Sequence, residues 1–85
     1  MKNTVTHEQV IDMFTGSKFH VVTVFEKCTV VTCQLPNGFV IVESSACVDP
    51  ENYDEKAGWE ICKERIINKI WELEGYALQK KVAGD

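Results

Sequence analysis

Residues 37–78, NGFVIVESSACVDPENYDEKAGWEICKERIINKIWELEGYAL, decide the fold of this chain of 85 residues. Asn37-Gly38 is the dipeptide favoured in two-residue hairpin loops, where both central positions need positive φ. Taking that pair as the loop sets Leu35 opposite Val40, Cys33 opposite Val42 and Val31 opposite Ser44. The register puts Val31, Cys33, Leu35, Val40 and Val42 on the core face, and Val30, Thr32, Gln34, Phe39, Ile41 and Glu43 on the other. Residues 44–53 read as a loop, with Asp49-Pro50 as its turn. Asp54 then caps a helix running to about Leu73, roughly 30 Å long. Trp59, Cys62, Ile66, Ile70 and Leu73 form its apolar stripe, with Glu60, Glu64, Arg65, Asn68 and Glu72 opposite. Gly75 reads as the helix stop, with Tyr76 and Leu78 folding back onto it.

Working outward, Thr6-His7-Glu8-Gln9 has the form of a capping box, followed by a short helix to about Thr15 and a stop at Gly16-Ser17. Residues 19–27 are rich in β-branched and aromatic side chains and read as a strand, with a turn over residues 26–29 and a second strand over 29–35. The expected architecture is α+β: a short N-terminal helix, a three-stranded antiparallel meander and a long C-terminal helix packed on the sheet. A chain of this length forms one domain, residues 1–85, whose small core favours self-association.

Composition narrows the function. A net charge of −4 argues against non-specific DNA coating, which requires a basic surface. No apolar run approaches the ~20 residues that span a bilayer, and the polar start MKNTVTHEQ lacks the apolar core of a signal peptide, so the expected location is the cytoplasm. Cys28, Cys33, Cys47 and Cys62 include no C-x-x-C pair and match no zinc spacing, and reduced thiols without a metal are expected. No cofactor motif is present. His7 and His20 have no supporting nucleophile spacing, so the chain reads as a binding protein rather than an enzyme.

Asn37-Gly38-Phe39, the run SACVDPENYD over residues 45–54, Gly58, and IWELEGY over residues 70–76 together carry a family resemblance. In their order and spacing the chain resembles the small tailed-phage protein family named after gene products of coliphage N-four and a Shigella phage. It departs at Glu43 and Glu72, where glycine and proline are usual. The resemblance implies a phage or prophage origin and an accessory role outside the virion, in the infected host cell. It assigns no catalytic residue.

Three groups of side chains are candidates for a site. Ser44, Ser45, Asp49, Asn52 and Tyr53, with Glu43, offer hydroxyls, an amide and carboxylates able to hold a ribose or base edge, although a turn and a helix cap would contain the same residues. Lys63, Arg65 and Lys69 lie at helical spacing, as phosphate ligands or as a solvated face; Lys63 is taken as the candidate ligand. Ile67 and Trp71 fall outside the apolar stripe, and Trp71 points among charged positions; with Tyr76 they are candidates for an interface between copies, Trp71 also for stacking on a base. The leading expectation is a homo-oligomer that counters host defence by sequestering a small nucleotide signal. The second is an acidic inhibitor whose Asp49, Glu51, Asp54 and Glu55 dock on a basic host protein. The third is an assembly accessory without a ligand.

Overall fold

The computed structural model describes residues 3–84. Helix α1 (His7–Thr15) leads into β1 (Lys18–Val24), β2 (Cys28–Gln34) and β3 (Val40–Ala46), and after a 3-10 turn over Pro50–Asn52 the chain ends in α2 (Glu55–Ala83). The strands form an antiparallel meander in the order β1-β2-β3, and α2 packs over β2 and β3 while α1 lies against α2. The α+β architecture expected from the sequence is the observed one.

Local chemistry explains the boundaries. The Thr6 hydroxyl accepts the Gln9 N–H at 3.1 Å and starts α1. Asp54 starts α2 by accepting from the N–H groups of Lys56 and Ala57. Gly75 does not stop that helix, contrary to the sequence expectation. α2 runs through it to Gly84, which adopts φ +82° and returns its N–H to the carbonyl of Lys81. At 29 residues α2 is about 43 Å long, nearly twice the ~23 Å of the seven-residue strands beneath it.

The β2–β3 register also differs from the expected one, by one residue. Leu35 N–H donates to the Phe39 carbonyl and Gly38 N–H to the Leu35 carbonyl, both at 2.8 Å, so the loop is Pro36-Asn37-Gly38 with Gly38 alone at positive φ, +96°. Cys33 therefore faces Ile41, and Val31 faces Glu43. A slip of one residue turns every side chain of β3 over. Ile41 is buried, whereas Val40 and Val42, assigned to the core from the sequence, are 50% and 57% exposed. β3 also continues through Ser44, Ser45 and Ala46, where the sequence predicts a loop. β1 ends at Val24 rather than Lys27, because Val24 pairs with Cys28 across a turn in which Phe25 and Glu26 both hold left-handed φ (55° and 60°).

The core joins Val10 and Phe14 of α1, Val31, Cys33 and Leu35 of β2 and its hairpin, Ile41 of β3, and Cys62, Ile66 and Ile70 of α2. Trp59 and Leu73 flank it half-buried, as the stripe requires. Among the described residues no helix packs on the opposite face of the sheet, where Val40 and Val42 stand exposed.

Candidate functional site: the groove between α2 and β3

Side chains of α2 leave the helix in three directions, set by its 3.6-residue repeat. Cys62, Ile66 and Ile70 go down onto the sheet. Ile67 and Trp71 lie on the flank covered by α1, where the Trp71 ring sits 6.4 Å from that of His7 and Gln9 donates to Glu74 at 2.9 Å. Trp71 is thus half-buried against its own chain rather than standing among charges, because α2 carries a second apolar stripe for α1. Lys63 shares that flank, with its ammonium 6.0 Å from the centre of the Phe14 ring. Tyr76 does not fold back; the helix continues and the ring is 66% exposed.

The third flank, Ile61, Arg65 and Lys69, borders β3. Arg65 donates from Nη1 to the Ser44 carbonyl at 2.6 Å, pinning the helix to the strand. On either side of this contact lies a depression. One, of about 150 Å³, is lined by residues 45–47 and 52–54 and, from α2, by Ala57, Gly58 and Ile61. The other, about 380 Å³ and more open, runs along residues 39–43 to Lys69 and Leu73. Lys69 also pairs with Glu72 at 3.2 Å, and half-buried Glu43 lines the wall between.

The floor of the smaller cleft is held by a polar network. Thr29 is fully buried, and its hydroxyl lies 2.6 Å from the Tyr53 hydroxyl. Tyr53 also meets Thr23 at 2.9 Å, and Thr23 donates to Glu55 at 3.2 Å. The Tyr53 hydroxyl is therefore turned to the sheet and its ring lines the cleft. Gly58 lets α2 approach this closely: a Cβ there would stand 2.9 Å from the Thr29 Cβ, inside any normal contact.

Residues 4–82 match the family described as Phage protein (N4 Gp49/phage Sf6 gene 66). The chain belongs to this family. No curated protein and no solved structure matches it. Among the segments that carry the family likeness in this member, the run 45–54 and Gly58 build the smaller cleft, and Asn37-Gly38-Phe39 forms the hairpin beside the larger depression.

Of the residues singled out from the sequence, Ser45, Asn52 and Tyr53 come together in the smaller cleft. Ser44 contributes its carbonyl to Arg65, and Asp49 caps the 3-10 turn by accepting the Glu51 N–H at 3.0 Å. Lys63 and Trp71 lie on the α1 flank, away from this group. The cations that border β3 are Arg65, through the Ser44 carbonyl, and Lys69, which lines the larger depression; the sequence signal for them is that Ile61, Arg65 and Lys69 repeat every four residues directly beside the apolar stripe.

The four cysteines are free thiols. Burial pushes the Cys33 thiol above its ordinary value against a lowering contact from Ser17. Burial does the same to Cys62, opposed by Arg65 and reinforced by Glu43 and Cys28. Both stay protonated and serve as core. Cys47 donates to the Asp49 carbonyl at 3.2 Å at the cleft edge. Among the described residues no cluster of His, Cys, Asp and Glu is arranged to hold a metal ion, and no helix is long and apolar enough to cross a membrane.

Proposed function

We propose that this phage-family protein is a binding protein that sequesters a small nucleotide signal of the host, acting as a homo-oligomer in the infected cell. The observation that carries the reading is the order of chemistry along the α2–β3 groove. Ser45, Asn52 and Tyr53 line a cleft at one end; one and two helical turns beyond Ile61 come Arg65, bonded to the Ser44 carbonyl between the two depressions, and Lys69, which lines the second. The first group suits the edge and face of a base, the second a phosphate. Phosphate belongs at the Arg65 end, since Asp49, Asp54 and Glu55 make the other end acidic.

Size favours more than one copy. The cleft of about 150 Å³ is well below the ~300–1,000 Å³ of sites that enclose a whole ligand. It takes a fragment the size of a base and leaves the remainder to a neighbouring chain. The acidic-inhibitor reading ranks second, because Asp49 and Asp54 serve as caps and Glu55 holds Thr23, so the fold itself accounts for these acids.

Native mass spectrometry of the protein purified from infected, defence-active cells tests the reading. A multimer carrying a nucleotide-sized mass, lost in Arg65→Ala and Asn52→Ala, is the expected result. A multimer that arrives bare would sink it and favour capture of a host protein or an assembly role; binding to a host protein that fades with added salt would identify the acidic inhibitor.

A further inference from the structure

The two edges of the sheet are not alike. Leu35 bonds to Phe39 and Lys27 to Cys47, so the odd-numbered residues of β2 bond to β3 and its even-numbered residues to β1. In β1, Lys18, His20, Val22 and Val24 accordingly bond inward, while Phe19, Val21 and Thr23 direct their N–H and C=O groups outward. On the outward edge of β3 the Arg65 guanidinium occupies one carbonyl, that of Ser44, and α2 runs alongside. Among the described residues no backbone hydrogen bond reaches the outward groups of β1.

β1 also lacks the features that keep an edge strand solitary. It has no proline, no acidic residue, and its one lysine, Lys18, stands at the end. α2 packs over β2 and β3, leaving Phe19 36% and Val21 39% exposed on the same side as the core. Phe25, at the tip of the β1–β2 turn, is 84% exposed and held with its neighbour Glu26 in the left-handed region, a conformation that costs a side-chain-bearing residue free energy.

We propose that β1 pairs with β1 of a second copy of this chain, antiparallel and about a two-fold axis through Val21. This deepens the homo-oligomer part of the preceding reading and rests on it, without depending on the ligand. The strand is self-complementary in that register. Val21 faces Val21 of the second copy, Phe19 faces Thr23, and every outward N–H and C=O of the three residues finds a partner. Lys18 falls opposite the second copy's Val24, next to its Phe25-Glu26 turn, so a cation meets a carboxylate and an exposed ring at each end. That charge match selects a second copy over an arbitrary extended peptide. The pairing joins two three-stranded sheets into one, with a β3 strand at each outer edge, where Arg65 holds the Ser44 carbonyl. Each α2–β3 groove stays open, on the far side of its own sheet from the two-fold axis.

Light scattering across a dilution series, combined with residue-resolved amide exchange on the full chain, tests this. The expected result is a dimer in which the amides of Phe19, Val21 and Thr23 exchange slowly and lose that protection on dilution. Val21→Pro removes an outward donor at a position where an edge strand tolerates proline, and is expected to be folded and monomeric. Lys18→Glu is expected to weaken the dimer by about five- to tenfold, and Lys18→Glu with Glu26→Lys to restore it. A wild-type monomer at about 100 µM, where micromolar pairs associate, would overturn the proposal. So would a dimer whose three amides exchange like free ones, or one that survives Val21→Pro. If Val21→Pro fails to fold, wild-type exchange and the charge swap decide alone. A dimer formed elsewhere refutes only this surface, and bound mass tests the ligand reading separately.

Discussion

The two ends of α2 are built from similar residues and held by different forces. Over residues 54–73 the helix rests on the sheet: Gly58 touches Thr29, and Cys62, Ile66 and Ile70 are fully buried. Over residues 76–83 it has run past the strands, and Tyr76 and Val82 are 66% and 52% exposed. Burial stabilises the first stretch. In the second only Leu78 is half-buried, beside Thr4 and Val5, and local terms do most of the rest, with Lys80 and Lys81 opposing the negative end of the helix dipole and Gly84 closing the last turn. A helix seen as one element is therefore two in energy, and substitutions should divide along that line.

The largest division is expected at Ile66. Ile66→Ala leaves a cavity between helix and sheet and should cost about 2–5 kcal/mol, much of the stability of so small a domain. Val82→Ala, the same kind of truncation in the free stretch, should stay within about 0.5 kcal/mol. Urea unfolding of both variants checks the contrast, and comparable losses would mean that the end of α2 is packed against something.

Gly58→Ala comes next. Alanine favours a helix by about 1 kcal/mol over glycine, yet here its methyl meets the buried Thr29 and forces helix and strand apart. We expect a net loss of about 1–3 kcal/mol in thermal or urea unfolding. A neutral outcome would show that Thr29 can rotate away from Tyr53. Tyr53→Phe probes that contact directly. It leaves the buried Thr29 hydroxyl without its 2.6 Å partner, at a cost of about 1 kcal/mol, whereas Tyr76→Phe should change nothing measurable.

The same contrast accounts for what could be read from the sequence. The order of elements, the caps at Thr6 and Asp54 and the stripe from Trp59 to Leu73 were legible, because each depends on residues close together in the chain. The β3 register was not. Asn37-Gly38 fits a two-residue loop as well as the end of a three-residue one, and the choice falls to whether Ile41 or Val40 and Val42 fit beneath α2. Trp71 appeared anomalous because a helical wheel cannot say that a second element, α1, covers another flank. The site divided likewise. Ser45, Asn52 and Tyr53 could be grouped because one short segment carries them, whereas choosing Arg65 and Lys69 over Lys63 requires knowing which flank borders β3.

Gly75 gives the smallest effect and the finest test of the contrast. Glycine so often ends a helix that the sequence predicts a stop here, but Gly75 lies within α2 and, the helix's own backbone aside, nothing stands within 4 Å of where its Cβ would be. Gly75→Ala should therefore gain about 0.5–1 kcal/mol by narrowing the unfolded ensemble without any new clash. Where that gain appears is the informative part. If residues 76–83 melt together with the domain, it raises Tm by about 3–6 °C for a chain of this size. If they fray first, Tm hardly moves, because the substituted turn is already open when the core unfolds, and the gain appears instead as slower amide exchange confined to the end of α2. We expect the second outcome, since among the described residues none beyond Leu78 is buried. A rise in Tm with unchanged local exchange would mean that the two stretches of α2 form one cooperative unit.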